Sequence, residues 1–394
     1  MADVLTYNPF LPEVREDPYP TYLELRARDP VHRSPFLDLW LLTRYEDVER
    51  LLRDPRFTSD RRLWRSMPPF DDGYVPSLFS VDGAEHARLR RLVSRPFALA
   101  VADRIHPWAQ EVVDEALDRA ATEGGLDLVG DLARWVPVAV INRLLGVPRE
   151  DWPRSELWTR SLVLITDPLA VPDWDRVAAF RAAEEEFLEY IGGLVGRRRR
   201  EPGDDLISAL IAREGEDDAL DERELLTMVE MLLVGGQETT VGLIGNGVLA
   251  LLRHPDQLAR LRERPELLES AVEELLRYDS PAQVAVRVAR EDVELSGRRI
   301  GPGELVVAAL GAANRDPERF ADPELLDLAR SPNPHFGFGR GVHSCLGAPL
   351  ARAEAQVAIG ELVRRFPDMR LAGEPVRTET IMMRTLSSLP LAVR

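Results

Sequence analysis

Apolar residues recur every three or four positions over much of this 394-residue chain, a spacing that predicts helices. Tyr19 to Arg28 and Tyr45 to Leu52 carry it, with two short extended runs between them, Val31 to His32 and Leu39 to Thr43. A further helix starts at Ala84. Residues 101 to 213 read as successive helices, clearest over Asp127 to Leu145, Asp151 to Leu164 and Arg176 to Val195. One long helix is expected from Asp221 to about Leu252. Strict alternation then predicts a strand over Val284 to Ala289, and short strands over Glu294 to Val307 with turns at Gly297 and Pro302-Gly303. Two stretches lose all periodicity. Phe57 to Ser80 contains Pro68, Pro69, Asp71, Asp72, Gly73 and Pro76, and Thr166 to Pro172 separates two helices. Unstructured loops of such length inside a compact domain usually cover or bind something. The second, with Leu162 to Ile165 before it, is the expected second wall of a substrate entrance.

No linker, repeat or low-complexity block divides the chain, so one large domain with two lobes is expected. A hydrophobic content of 45% is ample for a core, and 30% charged residues is ordinary for a soluble protein. The net charge of -17 argues against nucleic acid as a partner. Met1 to Phe10 has no basic segment or apolar run, and no window reaches the ~18–20 apolar residues of a membrane span. A cytoplasmic protein without disulfides is the expectation.

Candidate chemistry gathers in one stretch, His335 to Arg352, which holds the single cysteine, Cys345. Gly337, Gly339 and Gly341 alternate just before it, which suits a tight loop lying close against something flat. After it, Leu350, Ala353 and Val357 recur at helical spacing, and Pro349 fits a first turn. Cys345 is therefore expected where a loop feeds a helix N-terminus, whose N–H groups favour a thiolate. Such a thiolate serves as an axial ligand for haem iron as readily as a nucleophile; an inert buried cysteine is the plain alternative. In the long helix, Gly235-Gly236 precedes Gln237-Glu238-Thr239-Thr240. Two glycines there cost roughly 1 kcal/mol each against alanine, and they allow a local widening of the kind that often marks functional sites. On the helix from Ala84, His86 and Arg90 share a face, with Arg88, Arg91 and Arg95 on the opposite one.

The run Phe338, Gly339, Gly341, His343, Cys345, Gly347 resembles the signature of the cytochrome P-450 family of haem-thiolate monooxygenases. The resemblance covers the chain from about residue 15 onward, residues 1–14 being a lead-in. It implies a mainly α fold with small β-sheets, a single triangular domain over 1–394 with a helix-rich lobe and a smaller β-containing lobe. It implies haem b with Cys345 as the iron ligand and His86, Arg90, Arg287 and His343 as partners of the propionates. Glu238 and Thr239 fall on the family's acid and alcohol positions for proton delivery to dioxygen. Glu274, Arg277 and Arg330 match a structural ion-pair cluster. Met382 and Met383, on a hairpin tip, join Met231, Val234 and Gly235 as candidate lining of an apolar substrate pocket. The resemblance further implies hydroxylation or epoxidation of an apolar organic molecule, such as a macrolide, polyketide or other secondary metabolite. Electrons would come from a small acidic ferredoxin docking on Arg88, Arg91 and Arg95, with Arg340. Two alternatives share the fold: a peroxide-driven peroxygenase, which places an arginine near the oxygen site, and a non-catalytic haem-binding helper, which tends to lose Cys345 or the Glu-Thr pair.

Overall fold

The structure is a computed structural model and describes residues 7–34, 37–66, 75–101, 104–166, 174–216 and 218–393. The N-terminal part gives α1 (Pro12–Glu16), α2 (Tyr19–Arg28), β1 (Val31–Ser34), β2 (Leu39–Leu42), α3 (Tyr45–Arg53) and β3 (Phe57–Thr58). Next come α4 (Gly83–Val101), α5 (Ile105–Glu123), β4 (Gly125–Asp127), α6 (Trp135–Leu145), α7 (Trp152–Thr166), α8 (Trp174–Arg200) and α9 (Leu206–Ile211). After these follow α10 (Glu222–Arg253), α11 (Pro255–Glu263), α12 (Leu268–Tyr278), β5 (Val284–Ala289), β6 (Val293–Leu295), β7 (Arg298–Ile300), β8 (Leu305–Ala309) and α13 (Leu310–Ala313). The last elements are α14 (Ala348–Arg365), β9 (Arg370–Leu371), β10 (Val376–Arg377), β11 (Leu386–Ser388) and β12 (Pro390–Ala392). Residues 67–74 of the loop expected over Phe57 to Ser80, and residues 167–172 of the break expected over Thr166 to Pro172, lie outside the described residues. No helix of the described residues is long and apolar enough to cross a membrane.

The smaller lobe is a sheet in the order β1-β2-β8-β5-β3, antiparallel except for β2 on β8. Alternation along β5 sends Val284, Val286 and Val288 into one core with Leu25, Leu39 and Leu41. Ala285 and Ala289, with Arg287 between them in the alternation, belong to the other face. The pattern that makes β5 a strand thus also decides which way Arg287 points.

In the helical lobe α10 runs through the core. It starts with a capping box: Asp221 accepts from the Glu224 N–H at 2.8 Å, and Glu224 accepts from the Asp221 N–H at 3.0 Å. The expected widening at Gly235-Gly236 is not found: residues 231–240 are α-helical without interruption. The glycines instead admit neighbours. A Cβ at Gly235 would lie 3.4 Å from Phe79 Cζ, and one at Gly236 would lie 3.4 Å from Ile141. A second difference concerns the helix expected over Asp127 to Leu145. Asp127 ends β4, which pairs with β12 through Leu126 and Leu391, and its carboxylate accepts from the N–H groups of Val129 and Gly130. A π-helical segment, Leu128–Ala133, intervenes before α6. The pairing strand comes from the far end of the chain, so local spacing could not reveal it.

The cluster behind the site is fully buried. Arg277 and Glu274 are both 0% exposed and make paired hydrogen bonds of 2.8 Å. Arg330 Nε adds 3.1 Å contacts to the same carboxylate, with Asn333 and the Asp327 N–H. Every oxygen of that buried charge is satisfied, the condition under which a buried pair is tolerated.

Glu230 on α10 is less well served. Burial, and then the charge of Glu184 on α8, push its carboxyl up to about 7. The folded state thus keeps this proton to higher pH than the unfolded chain. Its contribution is full below the ordinary glutamate pKa of ~4.3 and is lost as pH rises through about 7. Glu230→Gln should therefore gain on the wild type by about 2 kcal/mol between about pH 5 and about pH 8. Denaturant unfolding at both pH values measures this; an equal difference at both would exclude the titration.

Candidate active site

The cysteine loop is built by its glycines and by the helices it touches. Gly339 and Gly341 take φ of 64° and 79°, a region costly for other residues. A Cβ on Gly341 would lie 2.6 Å from the carbonyl oxygen of Leu52, so α3 also requires glycine there. The Cys345 N–H donates to Phe338 O at 2.9 Å and closes the loop. His335 Nε2 lies 3.1 Å from Glu273, which Arg352 contacts at 2.6 and 2.9 Å, and the Arg352 guanidinium sits 4.4 Å above the Phe338 ring. Burial works against the Glu273 charge, yet hydrogen bonds from His335 and Arg352 bring its carboxyl down to about 2. The loop is thus clamped to α12 and to the first turns of α14.

Cys345 itself is exposed. Burial of its surroundings pushes the thiol up; the N–H groups of Gly347 and Ala348 and the charges of Arg90 and Arg352 oppose that push. Local sequence thus accounts for the helix N-terminus at the sulfur, but not for the two arginines.

His86, Arg90, Arg287 and His343 come from α4, β5 and the cysteine loop, and the structure brings them together. The rings of His86 and His343 are 4.3 Å apart at 56°. Burial first, then the charges of His343 and Arg90, lower the pKa of His86 to about 4. His86 is 4% exposed, and its Nε2 has no hydrogen-bond partner among the described residues. Buried Arg287 donates to the uncharged carbonyl of its neighbour Val286 at 2.8 Å, and burial lowers its pKa. Buried nitrogen donors that reach no carboxylate by hydrogen bond, His86 Nε2 without a partner among the described residues and Arg287 on a carbonyl, beside an open cysteine, fit a flat cofactor carrying carboxylates and bound through sulfur.

On α10, Glu238 lies 3.3 Å from Arg134, which also holds Glu156 at 2.9 Å. Burial raises the Glu238 pKa and Arg134 draws it back. The Thr239 hydroxyl donates to Gly235 O at 3.0 Å, the back-bond common for helical threonines. Met231 is buried in the helical core, and Val234 packs against it. Phe79, 64% exposed, reaches α10 at Gly235. Met382 packs in the sheet core with Tyr7 and Tyr22, and Met383 lines a small cavity with Tyr7, Val14 and Gln283. The two methionines therefore serve the β lobe. The side chains of Leu164 and Ile165 lie outside the described residues, and Leu162 is core.

The expected basic face also needs correction. Arg91 and Arg95 are exposed, Arg91 meeting Asp218 at 2.6 Å. Arg88 is half-buried and pairs with Glu224, in the first turn of α10, and with the carbonyls of Asp218 and Ala219 just before that helix. Arg340 bonds Glu49 at 3.3 Å and lies over Phe336.

Sequence reasoning did not single out Asp82, Arg134 or Phe79. Asp82 lies four residues before His86, as Arg90 lies four after it, and that spacing was a usable signal. Arg134 and Phe79 offered none, since their partners lie far along the chain.

An open cysteine at a helix start, a cationic cradle and this helical lobe define a haem-thiolate protein. The chain matches Cytochrome P450 over residues 37–387 and belongs to that family, whose members bind haem. It is 42% identical over 392 residues to "Cytochrome P450 monooxygenase PikC" of Streptomyces venezuelae, covering 96% of this chain and 91% of that one. It is 43% identical over 358 residues to "Mycinamicin IV hydroxylase/epoxidase" of Micromonospora griseorubida, covering 89% and 88%. Among solved structures, CalO2 superposes with a TM-score of 0.92 at 36% identity, covering 99% of both chains. The fold is that of a cytochrome P450, and the enzyme is a monooxygenase of that family.

Proposed function

We propose that the enzyme binds haem b through Cys345 and inserts one oxygen atom from dioxygen into an apolar organic molecule of macrolide or polyketide type, by hydroxylation or epoxidation. The observation that carries the reading is the open Cys345 beside the set His86, Arg90, Arg287 and His343, of which His86 and Arg287 are buried. Those four would hold the propionates. Bound haem supplies dioxygen activation and oxygen transfer to carbon, chemistry that belongs to the cofactor. Glu238, largely buried, and Thr239 beside it on α10 would hold and pass the protons that this chemistry consumes. Arg134 bears on the peroxygenase alternative, but two carboxylates already claim its guanidinium. The substrate class rests on likeness to the mycinamicin IV hydroxylase/epoxidase.

A small acidic ferredoxin is the proposed electron donor, steered by Arg91 and Arg95 on an otherwise acidic protein. The test is a spectral binding screen over macrolides and polyketides, then turnover with a ferredoxin, its reductase and labelled dioxygen. One labelled oxygen atom in the product is expected. Reversing Arg91 and Arg95 to Glu should slow reduction about tenfold at low salt and weaken its salt dependence. Product without label, or rates indifferent to both reversals for every acidic ferredoxin tried, would count against the respective halves of the proposal.

A further inference from the structure

We propose that Asp82 is a positioning residue for the cofactor, fixing the ring of His343 so that its free side can meet a haem carboxylate. The inference rests on the haem reading above. It follows from how many segments this one carboxylate ties together. Asp82 immediately precedes α4, next to Gly83, whose φ is 61°. Its Oδ1 lies 2.8 Å from His343 Nε2. Its Oδ2 accepts from the Ser59 N–H at 2.9 Å and from the Thr58 hydroxyl, and it lies 3.2 Å from Arg290. Ser59 Oγ makes a second contact to His343 Nε2 at 3.1 Å. One side chain thus joins the start of α4, the end of β3, the residue after β5 and the cysteine loop.

The geometry assigns each ring nitrogen a side. Nε2 is occupied by Asp82 and Ser59, so only Nδ1 can serve a ligand. His343 follows Gly341, whose left-handed turn carries no side chain of its own, so the loop alone gives the ring little to hold it. Asp82 also acts beyond His343: its charge stabilises the cationic forms of His86 and of Arg287. Burial alone would raise the Asp82 pKa, but His343, Thr58 and the Ser59 N–H hold it far below the carboxylate range. The groups facing it are cationic or hydrogen-bond donors, namely His343, His86, Arg287, Arg290, Thr58 and Ser59. A permanent anion in their midst keeps a cationic cradle assembled, as partners behind metal-ligating histidines do.

The test uses the haem-loaded protein and reads haem transfer to excess apomyoglobin rather than turnover. Asp82→Ala and His343→Ala should each speed transfer about 10- to 100-fold, the usual cost of losing such a partner. The double variant should fall well short of the product of the two single effects, because most of what Asp82 does passes through that ring. Asp82→Asn keeps the shape and one acceptor oxygen, so it should fold and fall between. The resonance Raman propionate bands should shift in both Asp82 variants. Independent multiplication of the two effects would overturn the proposal, as would wild-type transfer rates in Asp82→Asn and Asp82→Ala with unshifted bands. A wild type that holds no haem with the thiolate signature would overturn the haem reading itself, and this proposal with it.

Discussion

Cys345→Ser should give a folded protein that no longer shows the red-shifted Soret band of the ferrous carbonyl complex and has lost its turnover. The expectation comes from what the side chain does and does not touch. Cys345 is exposed and belongs to no hydrophobic cluster. Its loop is closed by main-chain bonds, the Cys345 N–H to Phe338 O and the Gly339 N–H to Phe336 O, which serine keeps. Stability should therefore stay within about 1 kcal/mol, as for substitutions away from packed or paired sites. The chemistry cannot survive so mild a change. A thiolate donates electron density to iron in a way that favours O–O cleavage. A serine hydroxyl does not ionise near neutral pH, and the N–H groups of Gly347 and Ala348 would only hydrogen-bond it. Carbonyl difference spectra, thermal melts and haem content separate the two effects. A retained band would mean another ligand holds the iron; a collapsed melt would mean Cys345 is a structural residue.

How far the sequence reached depends on the distance over which each feature is encoded. The start of α10 was legible because Asp221 and Glu224 form their capping box within four residues. The cysteine loop was legible for the same reason, as was the shared face of His86 and Arg90. Features made by distant partners were not. The β4–β12 pairing that cuts the helix expected from Asp127 joins Leu126 to Leu391. The Asp82–His343 contact spans 261 residues, and Arg134 meets Glu238 across 104. Arg88 looked solvent-facing on its own helix, and its partner Glu224 comes from the first turn of α10, 136 residues on. Met382 and Met383 were expected as pocket lining from position alone; Met382 packs on the sheet core and Met383 lines a small cavity, placements for which a flexible methionine is well suited.

Thr239→Ala should divert turnover, and Glu238→Gln should slow it. Oxygen activation needs protons at one atom in a site that otherwise stays dry, and acid–base groups typically contribute ~100- to 10,000-fold. The Thr239 hydroxyl is spent on Gly235 O at 3.0 Å, and freeing it for a proton-relay role would cost one modest hydrogen bond. Losing it leaves electron uptake intact. Reduced nicotinamide should still be consumed, with hydrogen peroxide in place of oxygenated product. Glu238 is the only one of the pair with an ionisable carboxyl. Burial keeps its carboxyl raised while Arg134 draws it down, and Arg134 can satisfy itself on Glu156 when Glu238 leaves it. Glu238→Gln should therefore lower the rate of the whole cycle by about 100-fold with its product yield less affected. Arg134→Gln should move the alkaline limb of the pH–rate profile upward, because it removes the charge that opposes burial and leaves Glu238 protonated to higher pH. The measurement is product and peroxide per reduced nicotinamide, with a tight-binding substrate and a reconstituted redox chain. A peroxygenase would keep peroxide-driven turnover in both variants, and a haem-binding helper would have none to lose. Unchanged product yield in Thr239→Ala would place the proton path elsewhere and remove the reason for assigning catalysis to this pair.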